Sequence, residues 1–335
     1  MYELSTITEQ HAGNVDLVFE GGGLRGIGLV GAYSVLEEHG FRPQNVAGAS
    51  AGAIVAALVA AGYTASELRE VLDALDFLSF KDRAWEDRLP ALSRTVSILK
   101  DKGVYEGEAF QAWMTGLLEA KGLRTFGDLL RRPEAVSLYR HGLQVVASDL
   151  TDHRLLVLPR DAHKLGIEDP DGLEVALAVR MSMSIPLFFE PVSFTNPKTG
   201  REHVIVDGGM LSNFPVWLFD AEAPRCPTIG VKFVEEDPKT PLSALGSGGG
   251  IFSLVTYVRN LVKTMLEAHD RFYVEESDYH RTIAVDTLGA GITEFDLPRG
   301  RAAALYNSGR AAVERFLAQG RSMPVAQEDA RAPAR

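Results

Sequence analysis

Three short stretches of this chain hold residues whose types and spacing suit a chemical task. Gly48-Ala49-Ser50-Ala51-Gly52 sets a serine among glycines and alanines. Small neighbours let a chain turn sharply from a strand into a helix, and that turn pushes the serine hydroxyl out of the backbone as a nucleophile. The plainer competing role is a helix cap, with the hydroxyl serving the free N–H groups of the first turn. Gly21-Gly22-Gly23-Leu24-Arg25-Gly26 lies between a short apolar run and a helical pattern. Glycines there reach backbone angles closed to other residues and aim several N–H groups at one point, where a helix start adds to the attraction for negative charge. Asp207-Gly208-Gly209 closes another apolar run. An aspartate at a strand end is usually a turn former, but the two glycines after it let the carboxyl approach another backbone without steric conflict.

Taken together, a serine, an anion-holding nest and a carboxylate are the parts that acyl transfer needs. Two other readings compete. A GxGxxG pattern also opens dinucleotide-binding folds, where an acid about 20 positions on holds a ribose. Here residues 45–47 run into Gly48 without an acid, and Glu37 and Glu38 fall inside the helical pattern. A Ser–acid–His triad is the other, since His269 and His280 come late enough in the chain. Both histidines lie in a charged stretch that reads as helical surface.

These groups need elements to hold them. Residues 15–19, 45–47, 143–147, 155–158, 204–206, 229–233 and 283–285 read as strands, and 25–39, 51–61, 107–120, 173–183, 251–268 and 301–319 as helices. Strand, helix, strand, helix with short links predicts a parallel sheet covered by helices. The linker-like stretches 196–200 and 243–250 separate no self-sufficient patterns, so one domain over residues 14–320 is expected. Residues 321–335, rich in Ala, Arg and Pro, are expected to form a disordered tail.

At 335 residues, a chain can remove roughly three quarters of its unfolded surface from water without covalent staples. Thirty-four basic against 45 acidic residues give a net charge of −11, which speaks against a nucleic-acid binder. One cysteine, Cys226, excludes a disulfide framework and a multi-cysteine metal site. The first 14 residues carry no secretory pattern, and the longest uncharged run, 43–66, is too weakly apolar to span a bilayer. A cytoplasmic protein is expected.

In their combination and order the three motifs resemble the patatin-like phospholipase family. The resemblance runs clearly from about residue 15 to residue 210 and more faintly beyond. Further landmarks are Ala147-Ser148-Asp149-Leu150, residues 178–192, and Asn213-Phe214-Pro215. The sequence departs from the family at Thr151-Asp152, where a Thr-Gly turn is common. The resemblance implies a three-layer α/β sandwich with a mainly parallel central sheet. It also implies a Ser–Asp dyad that hydrolyses lipid acyl esters, of phospholipase A or lysophospholipase type, through an acyl-enzyme, with no metal and no dissociable cofactor. By matching position, Ser50 would be the nucleophile and Asp207 the proton acceptor. The N–H groups of Gly22, Gly23, Leu24 and Arg25 would form the oxyanion hole, within the motif glycines Gly21, Gly26, Gly48, Gly52, Gly208 and Gly209. Arg25 would add a cation or order the loop.

The implied partner is a phospholipid or other acyl-ester lipid, met at a membrane surface; no oligomeric state is implied. Residues 251–266 place Ile251, Leu254, Val255, Val258, Leu261, Val262 and Met265 on one helical face, with Arg259 and Lys263 among the polar positions. Such a helix either covers the sheet or docks on lipid. Met183, Phe188, Phe189 and Phe194 are ordinary core or the lining of an acyl pocket.

Overall fold

Leu17-Val18-Phe19 has no polar face, and all three side chains are fully buried, as in a strand covered on both sides. The computed structural model describes residues 5–6, 13–74, 107–130, 137–186, 188–221, 224, 226–234, 265, 276–291, 297–319 and 322–323. The strands are β1 (Ser5–Thr6), β2 (Asn14–Phe19), β3 (Arg42–Ala49), β4 (Leu143–Asp149) and β5 (Arg154–Leu158). They continue as β6 (Val192–Thr195), β7 (Glu202–Asp207), β8 (Thr228–Val234), β9 (Thr282–Asp286) and β10 (Ser322–Met323). The principal helices are α1 (Gly26–Glu38), α2 (Ala51–Ala60), α3 (Ala65–Ala74), α4 (Gly107–Ala120), α5 (Val175–Met183) and α6 (Arg299–Ala318).

Eight strands form the central sheet, in the order β6-β7-β4-β3-β2-β8-β9 with β5 beside β4. The run β4-β3-β2-β8-β9 is parallel; β5, β6 and β7 add antiparallel pairs at one side. Parallel neighbours need crossovers, and α1 supplies the one between β2 and β3. Alternation along the strands separates the layers. Leu17, Phe19, Val46, Val145 and Ala147 join a large cluster with residues of α1, α2, α5 and α6. Val18, Ala47, Ala49 and Val146 face a smaller one that contains Phe214, Val216, Leu218 and Phe219. The fold is the expected α/β sandwich around a mostly parallel sheet.

Helix α1, which carries the glycine motif at its start, is wedged against α6. A Cβ on Gly309 would lie 1.9 Å from the Gly28 carbonyl oxygen, and one on Gly31 would lie 2.0 Å from that of Tyr306. Arg310 ties the pair at its edge, donating to Ser34 Oγ at 2.8 Å and to Glu38 Oε1 at 2.6 Å.

Four of these elements escaped the sequence reading: α3, β6 and the two-residue strands β1 and β10. Helix α3 had a usable signal, a capping box: Thr64 N–H donates to Glu67 Oε2 at 2.8 Å, and Glu67 N–H to Thr64 Oγ1 at 3.3 Å. Strand β6 is short and only partly covered, so it lacks a full apolar face. Of the tail 321–335, residues 322–323 pair with Ser5 and Thr6, and the rest lies outside the described residues. The helix expected over 251–266 also lies outside them, apart from Met265.

Candidate active site

Strand β4 brings two of the three motifs together. Its residues 145–149 pair with β5 along one edge. On the other edge β3 ends with Ala49 opposite Val146, and β7 arrives from the opposite direction to set Asp207 opposite Ala147. The C-terminal ends of β3 and β7 therefore point at each other, and Ser50, one residue past Ala49, abuts Asp207.

Ser50 sits on a sharp turn with φ 52° and ψ −128°, a conformation that costs a non-glycine residue about 1–3 kcal/mol. Its neighbours leave the turn no slack. A Cβ on Gly48 would fall 2.4 Å from the Gly52 carbonyl, and one on Gly52 would fall 2.3 Å from the Phe19 oxygen. Ser50 precedes α2, yet its side chain makes no capping hydrogen bond, so the competing cap role is not taken up. Its own N–H donates to Ser182 Oγ at 2.9 Å.

Asp207 is fully buried. Its Oδ1 accepts the Gly209 N–H at 2.7 Å, while Oδ2 has no partner at hydrogen-bond geometry. Burial pushes the carboxyl up to about 7, against the opposing pull of the Ser50 hydroxyl and the Gly209 amide. The serine hydroxyl is thus near enough to favour the carboxylate while falling short of a formed bond to Oδ2. An unpartnered buried oxygen is rare, and a carboxyl poised near neutrality is suited to accept and return a proton. Gly208 makes the approach possible, because a Cβ there would lie 2.1 Å from the Val146 oxygen.

The glycine loop flanks the serine. A Cβ on Gly21 would lie 3.0 Å from Ser50 Cβ and 2.2 Å from Asn213 Oδ1. Asn213 grips Gly21 twice: its carbonyl accepts the Gly21 N–H at 3.0 Å, and its Nδ2 donates to the Gly21 oxygen at 3.2 Å. Gly22 rests on the Phe233 ring, and Gly23 takes the left-handed φ of +57° that opens a tight turn into α1. Arg25 corrects the expected set of donors. Its N–H is used within this turn, donating to the Gly22 oxygen at 3.2 Å. Its Nε donates to the same oxygen at 3.2 Å, and its guanidinium lies 5.1 Å from the centre of the Phe233 ring. Among the described residues, no acceptor takes the N–H of Gly22, Gly23 or Leu24.

Several residues at this site were missed in the sequence or noted only as landmarks. Phe233, at the end of β8, is the platform under Gly22, and its N–H is bonded by the buried Glu20 carboxylate. Ser184 accepts the Asp207 N–H at 2.9 Å through its carbonyl. Such partners are distant in sequence and follow no spacing rule. No histidine among the described residues hydrogen-bonds Ser50 or Asp207; His280 is exposed in the turn Glu276–Arg281, and His269 lies outside the described residues. Met183 and Phe189 are buried core, with Phe188 and Phe194 packed against it.

The departure at Thr151-Asp152 also has a structural counterpart. Asp152 faces Arg154 at 2.8 Å and Arg201 at 2.6 Å, while the buried Asp149 accepts from His203 Nδ1 at 2.9 Å and lies 3.3 Å from Arg154. The ligand-type atoms of Asp149, Asp152 and His203 lie within 4.8 Å of one another, but the Arg154 guanidinium already supplies positive charge to both carboxylates, and Arg201 adds to it at Asp152.

The sequence matches the family described as patatin-like phospholipase over residues 17–220. It is 39% identical over 305 residues to the protein YqhO of Bacillus subtilis, covering 91% of this chain and 98% of that protein. With an NTE family protein of Mycobacterium tuberculosis the identity is 28% over 209 residues, which is 62% of this chain and 28% of that protein. Among solved structures, VipD from Legionella pneumophila aligns with a TM-score of 0.55 at 18% identity, covering 95% of this chain and 70% of that chain. This last likeness is one of fold.

Proposed function

Because the chain belongs to the patatin-like phospholipase family, we propose that it is a lipid acyl hydrolase with Ser50 as nucleophile and Asp207 as general base. Ser50 Oγ attacks the ester carbonyl carbon as its proton passes to Asp207 Oδ2. The carbonyl oxygen becomes an oxyanion, held by the N–H groups of Gly22, Gly23 and Leu24 at the head of α1; one such donor is worth roughly 3–4 kcal/mol. Collapse breaks the ester C–O bond. The leaving alcohol takes the proton from Asp207, and the acyl group remains on Ser50. Water then attacks the acyl-enzyme while Asp207 accepts its proton. The second collapse releases the fatty acid, and Asp207 returns the proton to Ser50 Oγ. Substrates are carboxylic esters of lipids, of phospholipase A or lysophospholipase type.

The observation that carries this reading is the end-on meeting of β3 and β7 on one edge of β4. It sets a strained serine against a buried carboxyl oxygen with no other partner. The catalytic domain would span residues 14–320, since β8, β9 and α6 all lie beyond residue 220 yet extend the sheet or brace α1. Among the described residues no helix is long and apolar enough to cross a membrane, and lipid would reach the site by peripheral contact with a membrane surface. An organophosphonate probe with mass-spectrometric mapping, run beside a panel of phospholipids, lysophospholipids and short-chain esters, tests the proposal. Labelling of Ser50 and release of fatty acid are expected. Labelling elsewhere with no ester turnover would overturn it.

A further inference from the structure

The strained backbone of Ser50 has to be held by something, and its partner is a side chain. Ser182 Oγ accepts the Ser50 N–H at 2.9 Å across 132 positions of sequence. Ser182 lies in the last turn of α5 and is fully buried, with Val179 and Met181 of the same helix in the core. Two residues on, the Ser184 carbonyl accepts the Asp207 N–H at 2.9 Å, and Ser184 Oγ donates to the Arg180 carbonyl at 2.9 Å. One short stretch of chain thus fastens the backbones of both site residues. Neither contact reaches the side-chain atoms that would react.

We propose that Ser182 is a positioning residue, whose hydroxyl fixes the Ser50 amide and so keeps Ser50 Oγ directed at Asp207. This rests on the reading of Ser50 and Asp207 as nucleophile and base. Two consequences follow from the geometry. The Ser50 amide, being bound, is not an oxyanion donor, which leaves that task to the glycine loop. If the Ser182 hydroxyl is lost, the peptide linking residues 49 and 50 is free to relax toward ordinary angles, carrying Oγ away from the carboxyl. The remainder of α5 keeps its apolar contacts, so the fold survives the change.

Ser182→Ala and Ser182→Thr test this with three readouts: turnover of a soluble ester, its pH profile, and amide hydrogen exchange in peptides that contain Ser50. In Ser182→Ala we expect cooperative melting, faster exchange at the Ser50 amide, and a fall in kcat of about 10- to 100-fold at nearly constant KM. The pH midpoint should rise, because the Ser50 hydroxyl that favours the Asp207 carboxylate has moved away. Ser182→Thr, which keeps the hydroxyl, should recover most of kcat and of the protection. Parental kcat, midpoint and exchange in Ser182→Ala would overturn the proposal. If the parent protein neither reacts with the probe nor turns over any ester, the enzymatic reading falls instead. Hydrogen exchange at Ser50 then decides alone whether Ser182 holds the turn, and unchanged exchange rejects it.

Discussion

Asp207 Oδ1 accepts the Gly209 amide at 2.7 Å, and this backbone donor stands with the Ser50 hydroxyl against the complete burial of the carboxyl. A group held up to about 7 fixes the direction of two pH effects. The base is competent only when ionised, so kcat/KM should fall as pH drops through about 7, with the slope of one proton. A pH–rate profile on a soluble ester reads this directly, and a flat profile between pH 5 and 8 contradicts it.

Stability should run the other way. An aspartate in the unfolded chain titrates near 3.9, well below the folded value, so between the two the folded protein binds the extra proton. Its contribution to stability is complete below about pH 4 and is lost as pH rises through about 7; the shift corresponds to about 4 kcal/mol. Asp207→Asn keeps the shape and removes the charge. It should abolish turnover, melt like the parent near pH 4.5, and melt higher than the parent at pH 8. Parallel melting curves at both pH values would show that Asp207 is not destabilised by burial.

Ser50 offers a way to separate strain from chemistry. Ser50→Ala and Ser50→Gly should both lose esterase activity with the fold intact. Only the glycine variant relieves the φ of 52°, which should leave it about 1 kcal/mol more stable than the alanine variant after its greater chain entropy is offset. Urea unfolding of the two variants measures the difference, and an alanine variant that is the more stable would rule out strain at this residue.

The motifs were legible because their chemistry is local. Gly48, Gly52 and Gly208 announce close backbone approaches, and each one meets a carbonyl within 2.4 Å of where a Cβ would be. The mainly parallel character of the sheet, though not its strand order, followed from apolar runs alternating with helical patterns. The antiparallel arrival of β7 did not, and it is the feature that brings Asp207 to Ser50. Nor did Ser182, Asn213 or Phe233 have a spacing signal, since each acts through one contact between distant parts of the chain. Arg25 shows the opposite limit: its type allowed either a cation for the oxyanion or an ordering of the loop, and only the fold shows its N–H and Nε both turned back onto Gly22.

The packing of α1 on α6 carries a prediction far from the reacting atoms. Gly309→Ala would place a methyl 1.9 Å from the Gly28 oxygen, and backbone cannot yield as a flexible side chain does. The helices must separate, at a cost of about 1–3 kcal/mol or more. Because α1 begins at the glycine loop, kcat should fall along with the melting temperature. A variant with parental stability would mean that the two helices pack more loosely than this geometry requires.

Arg25 permits a test of charge against shape. Its guanidinium stacks over Phe233, and its Nε donates to the Gly22 oxygen, a planar arrangement that an ammonium group does not reproduce. If Arg25 worked through charge on the oxyanion, Arg25→Lys would preserve activity and Arg25→Met would not. The geometry favours a loop-ordering role, so lysine and methionine should be equally poor, each lowering kcat by about tenfold, or about 1.4 kcal/mol of transition-state stabilisation. The organophosphonate reaction at Ser50 should slow by the same factor, because it forms its own oxyanion-like centre beside the same amides. Full activity in the lysine variant with loss in the methionine variant would return the cation to the catalytic step. Full activity in both would leave the loop ordered by Asn213 and Phe233 without it.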